Sequence, residues 1–236
     1  MGALLGMSKD KSKQIIREYI KKYDLNPYFS EELINHMTLV KFDRGEDIVT
    51  LGNKMDYYYL HIEGKLKIYT LLENGKKVLI RFYSPLSVLG DLEYSFDFPC
   101  RAFVEALTPA ELIAIPMDTL RELTKDDPGF LRFLNETVSK KHYQFSVVSF
   151  MNLTYPLENR VASYLDSISQ GANHQTIDEF KTCTIGEMAE LLCTSYRHLS
   201  RVLNDFEQKG MIQRNRGKIK IVDFEQLKEL SVGLFE

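Results

Sequence analysis

Apolar residues repeat with three different periods along this chain, and the changes of period divide it. Over residues 8–24, Ile15, Ile16, Tyr19, Ile20 and Tyr23 form an i, i+1, i+4, i+5, i+8 stripe that predicts an amphipathic helix. Ser30 ahead of EELINHM predicts a second, short, capped helix. From residue 38 the runs become short and β-rich: TLVKF, DIVTL, YYYLHI, KLKIYTLL, KKVLIRFY, RAFVEAL and ELIAIP. Gly45, Gly52, Gly64, Asn74-Gly75 and Gly90 punctuate them. Many short strands between turn residues predict an antiparallel sandwich or barrel. Asn74-Gly75 is the strongest hairpin signal, because a type I′ turn needs positive φ at both central positions.

Helical periodicity returns after Pro116. MDTLRELTKDD predicts a short helix, and Asp127-Pro128 opens a long one, with proline placed where no N–H is needed. Along it Leu131, Leu134, Val138, Lys141, Phe145, Val148 and Asn152 fall at alternating three- and four-residue steps, a heptad seam suited to a two-fold partner. The other reading of that seam is a helix lying on its own β-domain, and a helix this long with aromatics beside the seam could serve both. Tyr155-Pro156 ends the helix, since a residue before proline is pushed out of the α region. PLENRVASYLDSIS then begins another, and QGANHQTIDEFK reads as a loop. The expected organisation is residues 1–127 for the N-terminal helices and β-rich body, 128–155 for a dimerisation helix and 156–236 for a C-terminal module.

That module carries the most telling pattern. Thr184 can cap a helix burying Ile185, Met188, Ala189 and Leu192, and Ser195 can cap a second burying Leu199, Val202, Leu203 and Phe206. Cys193-Thr194 makes the tight turn between them, and Gly210 ends the second helix. MIQRNRGKIKIVD follows as two short strands around Arg216-Gly217. Two short capped helices and a basic hairpin read as a winged helix-turn-helix, whose second helix enters the major groove by its first turn. Tyr196, Arg197 and Arg201 lie off the buried stripe and can face DNA, with His198 and Ser200 beside them. Arginine is well suited to the O6 and N7 acceptors of guanine. Thr184, Ser195, Arg214, Arg216 and Lys218 complete the expected DNA-contacting set.

Charge sharpens this picture. Residues 181–222 hold eight Lys/Arg against four Asp/Glu, so a chain of net charge −3 divides into a +4 module and a −7 remainder. A basic module on an acidic body is the electrostatic footprint of a nucleic-acid binder. Composition is otherwise that of a globular protein, 44% hydrophobic and 27% charged. No apolar run approaches the ~20 residues of a membrane helix, and MGALLGMSKDKS lacks the regions of a signal peptide. Met7 is a candidate alternative start, with residues 1–6 as an extension. Three widely spaced cysteines, Cys100, Cys183 and Cys193, suit a reducing cytoplasm rather than a disulfide framework. The five histidines are scattered, with no metal-ligand spacing.

From residue 30 to 225 the chain resembles the Crp/Fnr family of bacterial transcription regulators. EMAELLCTSYRHLSRVLNDFEQKGMI has the shape of the family's helix-turn-helix, and PLENRVASYL that of the helix after its hinge. Phe42, Gly45-Glu46, Gly52, Ile62, Gly64, Gly75 and Leu89-Gly90-Asp91-Leu92 match its β-roll. The resemblance implies an α+β architecture: an antiparallel β-roll like a cyclic-nucleotide-binding domain, a long dimerisation helix and a winged helix-turn-helix. It implies a homodimer on a palindromic operator in double-stranded DNA, an effector held in the roll, and RNA polymerase as a further partner. Dimer contacts fall to Leu131, Leu134, Val138, Phe145 and Val148. The effector pocket falls to Gly90, Asp91, Leu92, Cys100, Arg101 and Ala102, with Phe145 and Ser146 from the long helix.

The departures bear on the ligand. Relatives that bind cyclic AMP carry G-E-L and R-S-A, where this chain has Gly90-Asp91-Leu92 and Cys100-Arg101-Ala102. Cys100 thus replaces the phosphate arginine, and Arg101, one place later in a strand, is on the opposite face and reaches a phosphate only if a bulge re-aims it. Cyclic AMP is disfavoured, and the aromatic side chains nearby suggest a more apolar or uncharged ligand. With no cysteine before Cys100, the iron–sulfur cluster of the oxygen-sensing branch lacks its ligands. Haem held by His or Cys stays open, with no residue pointing to it. In the second helix Arg201 aligns with the family's guanine-reading arginine. Arg197 replaces a glutamate that accepts from cytosine, which implies a different half-site.

Two other classes compete with a DNA-binding regulator. A cupin-like metalloenzyme would need a histidine cluster, and only His61 lies on a predicted β-roll strand. A ligand-binding subunit acting through protein contacts would use the C-terminal module for dimerisation.

Overall fold

In a computed structural model of the chain, residues 3–4, 9–73, 75, 77–169, 184–215 and 218–232 are described. Contacts within the chain divide it into two units, Met1–Lys140 and Lys141–Glu236.

In the first unit, helices α1 (Lys9–Lys22) and α2 (Glu31–His36) precede the strands β2 (Thr38–Phe42), β3 (Asp47–Val49), β4 (Tyr57–Glu63), β5 (Leu66–Leu71), β6 (Lys77–Tyr83), β7 (Ser87–Leu89), β8 (Phe103–Ala106) and β9 (Ala110–Pro116). A two-residue strand β1 (Ala3–Leu4) pairs with β2. The strands form two antiparallel sheets, ordered β1-β2-β9-β4-β7 and β3-β8-β5-β6. Two antiparallel sheets are what the short punctuated runs predict as a sandwich, and they form the roll that the resemblance implies. The hairpin joins β5 to β6 with Leu71 opposite Lys77; Asn74 itself lies outside the described residues, and Gly75 has φ +76°. Gly64 is required sterically, because at φ +91° a Cβ would strike the carbonyl of Pro109.

The core lies between the sheets and under the helices. Ile16 and Ile20 of α1, Leu33 of α2, and Leu39, Tyr58, Leu60, Leu66, Leu112 and Ile113 of the strands are almost wholly buried. Lys13 ties α1 to the C-terminal end of α2, its ammonium donating to the carbonyls of Ile34, Asn35 and Met37. The segment after β7, unassigned by the pattern, forms a short helix α3 (Asp91–Ser95), followed after β9 by α4 (Met117–Thr124). Arg121 of α4 holds α3 by donating to the carbonyls of Glu93 and Tyr94.

The long helix α5 runs Pro128–Thr154, as the proline positions predict. The Asp127 carboxylate accepts from the amides of Gly129 and Phe130 and starts it. Its first half buries Phe130, Phe133 and Leu134 beside Phe29, with Phe29–Phe133 ring centroids 5.3 Å apart. Leu134, expected in a dimer seam, is only 7% exposed within the first unit's core, and Val138 packs against that core. The second reading of the seam, a helix lying on its own β-domain, therefore holds for these two residues. Leu131 is 39% exposed, and in the second unit's share of the helix Tyr143, Phe145, Phe150 and Leu153 are exposed.

The second unit continues with α6 (Leu157–Ser169), α7 (Ile185–Leu191), α8 (Tyr196–Gln208), the strands β10 (Ile212–Asn215) and β11 (Lys218–Ile221), and α9 (Phe224–Leu230). Helix α9 has no counterpart in the expected elements. It packs on α6, where the Asn159 amide donates to the carbonyl of Leu230 and Ser163 Oγ accepts from the Val232 amide. Val161, Ala162 and Leu165 of α6, Leu199, Leu203 and Phe206 of α8, and Leu227 of α9 make the core.

Candidate nucleic-acid interface

Helices α7 and α8 are built from their caps inward. Thr184 Oγ1 accepts from the Glu187 amide while the Glu187 carboxylate accepts from the Thr184 amide, a reciprocal pair that satisfies two orphan donors. Ser195 Oγ accepts from the His198 amide at 3.2 Å and starts α8. The Thr184 and Ser195 hydroxyls, expected to touch DNA, are thus engaged in capping. Between the helices Cys193 has φ +49°, a left-handed conformation that turns the chain in a single residue. Burial of Leu199, Val202, Leu203 and Phe206 fixes the rotation of α8 about its axis. Tyr196, Arg197 and Arg201 are left exposed along its first two turns, with His198 and Ser200 half-buried at the margins.

The strands β10 and β11 pair antiparallel from Ile212↔Ile221 to Asn215↔Lys218. Arg216, expected at the tip, lies outside the described residues; Lys218 begins the returning strand. Arg214 is engaged otherwise than expected. Its guanidinium meets the Glu207 carboxylate at 2.8 and 3.0 Å and the Asn204 side chain, and its amide donates to Glu207 at 2.9 Å. These bonds to Arg214 hold the Glu207 carboxyl below its ordinary range. Arg214 therefore fastens the hairpin to α8. Asn204, exposed one turn beyond Arg201, belongs to this contact and escaped the sequence reading because its partner is ten residues away.

Behind the turn, Arg160 Nη1 of α6 donates to the Leu192 carbonyl at 2.6 Å. Asn152 of α5, expected as a polar seam position, donates to the Leu191 carbonyl at 3.5 Å.

The expected effector residues divide between the two units. Gly90, at φ +93°, precedes α3, and a Cβ there would come 3.2 Å from the methyls of Met55 and Met117. Asp91 is buried, whereas Leu92 is exposed. Cys100 is 3% exposed, its thiol directed at Met55 Sδ at 3.8 Å, and burial pushes its pKa up. Arg101 is exposed, and Ala102 packs on the core. Phe145 and Ser146 are both exposed on α5 in the second unit. His61 is wholly buried, its Nε2 donating to the Glu63 carbonyl and its Nδ1 accepting from Ser87 Oγ, each at 3.0 Å. Burial lowers its pKa to about 4. Among the described residues no group of His, Cys, Asp and Glu gathers to hold a metal ion.

Residues 39–127 match the family model of the cyclic nucleotide-binding domain, and residues 159–230 that of the Crp-like helix-turn-helix domain. Regulatory protein YeiL of Escherichia coli O157:H7 is 31% identical over 188 residues, covering 79% of this chain and 82% of YeiL. A CRP-like cAMP-activated global transcriptional regulator of Mycobacterium tuberculosis is 24% identical, covering 83% of this chain and 88% of its own. A solved CRP/FNR-family transcriptional regulator from Thermus thermophilus superposes with a TM-score of 0.68 at 23% identity, over 81% of this chain and 97% of that one. With a capped helix pair, a paired wing, a β-roll before them and relatives that match across both, this chain belongs to the Crp/Fnr family of DNA-binding transcription regulators.

Proposed function

We propose that the chain acts as a homodimer on a palindromic operator, reading each half-site with the first two turns of α8. The observation carrying this is the division of α8: an apolar stripe anchors it while Tyr196, Arg197 and Arg201 stand exposed at its N-terminal end. The guanidinium groups only donate, so the half-site should present guanine O6 and N7 where many relatives direct a glutamate at cytosine. Lys218 and Arg216 at the hairpin supply sequence-independent phosphate contacts. Two-fold association rests on the exposed apolar side chains of α5, since a helix apolar on several faces needs cover on each. Selection of operators from random DNA tests the reading. Arg201→Ala should then weaken the selected site by ~1–3 kcal/mol and relax one base pair. An unchanged motif would remove α8 as the reader.

The family model implies a cyclic nucleotide in the β-roll, and the residues present do not suit its phosphate. Where a charged fork is needed, Cys100 is buried against Met55, and Arg101 is exposed to solvent. The methyls of Met55 and Met117 already occupy the space beside Gly90. The effector is instead an uncharged or more apolar small molecule, and no cysteine stands before Cys100 to ligate an iron–sulfur cluster. No helix among the described residues is long and apolar enough to cross a membrane. A regulator of this kind would act on DNA in the cytoplasm alongside RNA polymerase. Calorimetry against cyclic AMP and cyclic GMP checks the ligand: micromolar binding with enhanced operator affinity would reverse the assignment.

A further inference from the structure

We propose that Arg160 is a positioning residue for the DNA-reading helix, locking the turn that aims α8; the inference rests on α8 being the reader. The last carbonyls of α7 have no partner inside their own helix, and the dipole places partial negative charge there. A guanidinium suits that position. Arg160 Nη1 reaches the Leu192 carbonyl at 2.6 Å, a short charge-assisted bond to the residue directly before Cys193. The same Nη1 lies 3.5 Å from Asn152 Oδ1, while the Asn152 amide group is 3.5 Å from the Leu191 carbonyl and from Cys193 Sγ.

These contacts come from both sides of one break in the chain. Asn152 is in the last turn of α5, which ends at Thr154, and Arg160 is in the first turn of α6, which begins at Leu157. Both converge on two successive carbonyls at the entrance to the turn. Beyond them Cys193 alone, at φ +49°, reverses the path, and α8 starts at Tyr196. A small rotation of the Leu192 peptide therefore swings Arg197 and Arg201 relative to the rest of the module. Bonds within the turn, Cys193 N to Glu190 O at 3.0 Å and Thr194 N to Ala189 O at 2.8 Å, fix its local shape but not its attachment to α6. Arg160 supplies that attachment. Its Nε is buried and has no hydrogen-bond partner, so the group is held from the Nη1 side. Arg160 faces the back of the turn and the recognition residues face away from the module's core, so it acts on DNA only through α8.

The test compares wild type, Arg160→Met and Arg160→Lys in the full chain. Methionine keeps the apolar stem and removes the donors; lysine restores one donor and the charge. Binding is measured by fluorescence anisotropy to the operator selected from random DNA and to an unrelated duplex, across a salt titration. Arg160→Met should weaken operator binding roughly tenfold or more, on the scale of a lost charged hydrogen bond. Binding to the unrelated duplex and its salt slope should not change, because no phosphate contact is removed. Arg160→Lys should recover part of the operator affinity. Hydrogen exchange provides a reading independent of DNA: amides of residues 192–194 should exchange faster in Arg160→Met, with those of α9 unchanged.

Operator affinity equal to wild type in Arg160→Met would overturn the proposal. So would equal weakening on both duplexes with a shallower salt slope, which would make Arg160 a phosphate contact. If Arg160→Met does not fold, Arg160→Lys decides alone: wild-type operator affinity with raised exchange at 192–194 would overturn it, and reduced operator affinity at an unchanged salt slope would support it. Failure of the wild-type chain to select any operator would overturn the DNA-reading assignment itself, and is visible before any variant is made.

Discussion

If the chain associates through α5 as proposed, replacing Phe145 by glutamate should dissociate the dimer without unfolding either unit. Phe145 is 57% exposed in the single chain, so of its ~200 Å² of surface about 110 Å² is free to be covered by a partner. At ~25 cal/mol per Å² that is about 3 kcal/mol per side chain, and two-fold symmetry doubles it. Ordering costs on association remove part of this, but retention of half raises the dimer dissociation constant roughly a hundredfold. A carboxylate placed in the covered seam adds a desolvation cost of the same sign. Leu134→Glu is the instructive contrast. At 7% exposure that side chain is core, so a charge there should lower the unfolding temperature of the first unit before it affects association. Sedimentation velocity across a concentration series reads the first effect, and thermal unfolding the second. A wild-type dissociation constant in Phe145→Glu would refute the assignment and move any self-association surface off this part of α5.

Two further outcomes follow from the geometry. Arg214→Ala should leave the salt dependence of DNA binding nearly unchanged, because Glu207 already neutralises that guanidinium, whereas Lys218→Ala should reduce the slope by about one; equal slope changes would show that Arg214 reaches phosphate. His61 should make the first unit acid-sensitive: its pKa falls from 6.5 unfolded to about 4 folded, so the unfolded state binds the extra proton between those values. Stability is then full above pH 6.5 and declines towards pH 4 by about 3 kcal/mol, a loss that His61→Gln should lack in urea unfolding at pH 7.5 and 4.5; the same loss in both proteins would clear His61.

Local chemistry made much of this molecule legible in the chain. Thr184 and Ser195 mark helix starts because a hydroxyl satisfies an amide two or three residues on, a contact complete within one turn. The rotation of α8 was equally readable, since Leu199, Val202, Leu203 and Phe206 can share a buried face only if Arg197 and Arg201 look outward. Short β-rich runs between turn residues marked the antiparallel sheets, and the prolines at 128 and 156 bracketed α5. What spacing could not decide was which of two surfaces an apolar stripe would meet. Leu134 and Val138 satisfy a heptad seam as well as they satisfy the β-roll beneath them, and only the folded unit shows that the roll takes them. The same holds for polar side chains with distant partners. Arg214 reads as a DNA contact until Glu207, seven residues away, is seen to hold it. Cys100 reads as a pocket residue until it is found packed against Met55, and nothing in the spacing connects Arg160 with the Leu192 carbonyl that its tip reaches. Periodicity specifies the face on which a side chain lies; which groups wait on that face depends on segments that folding brings from elsewhere in the chain.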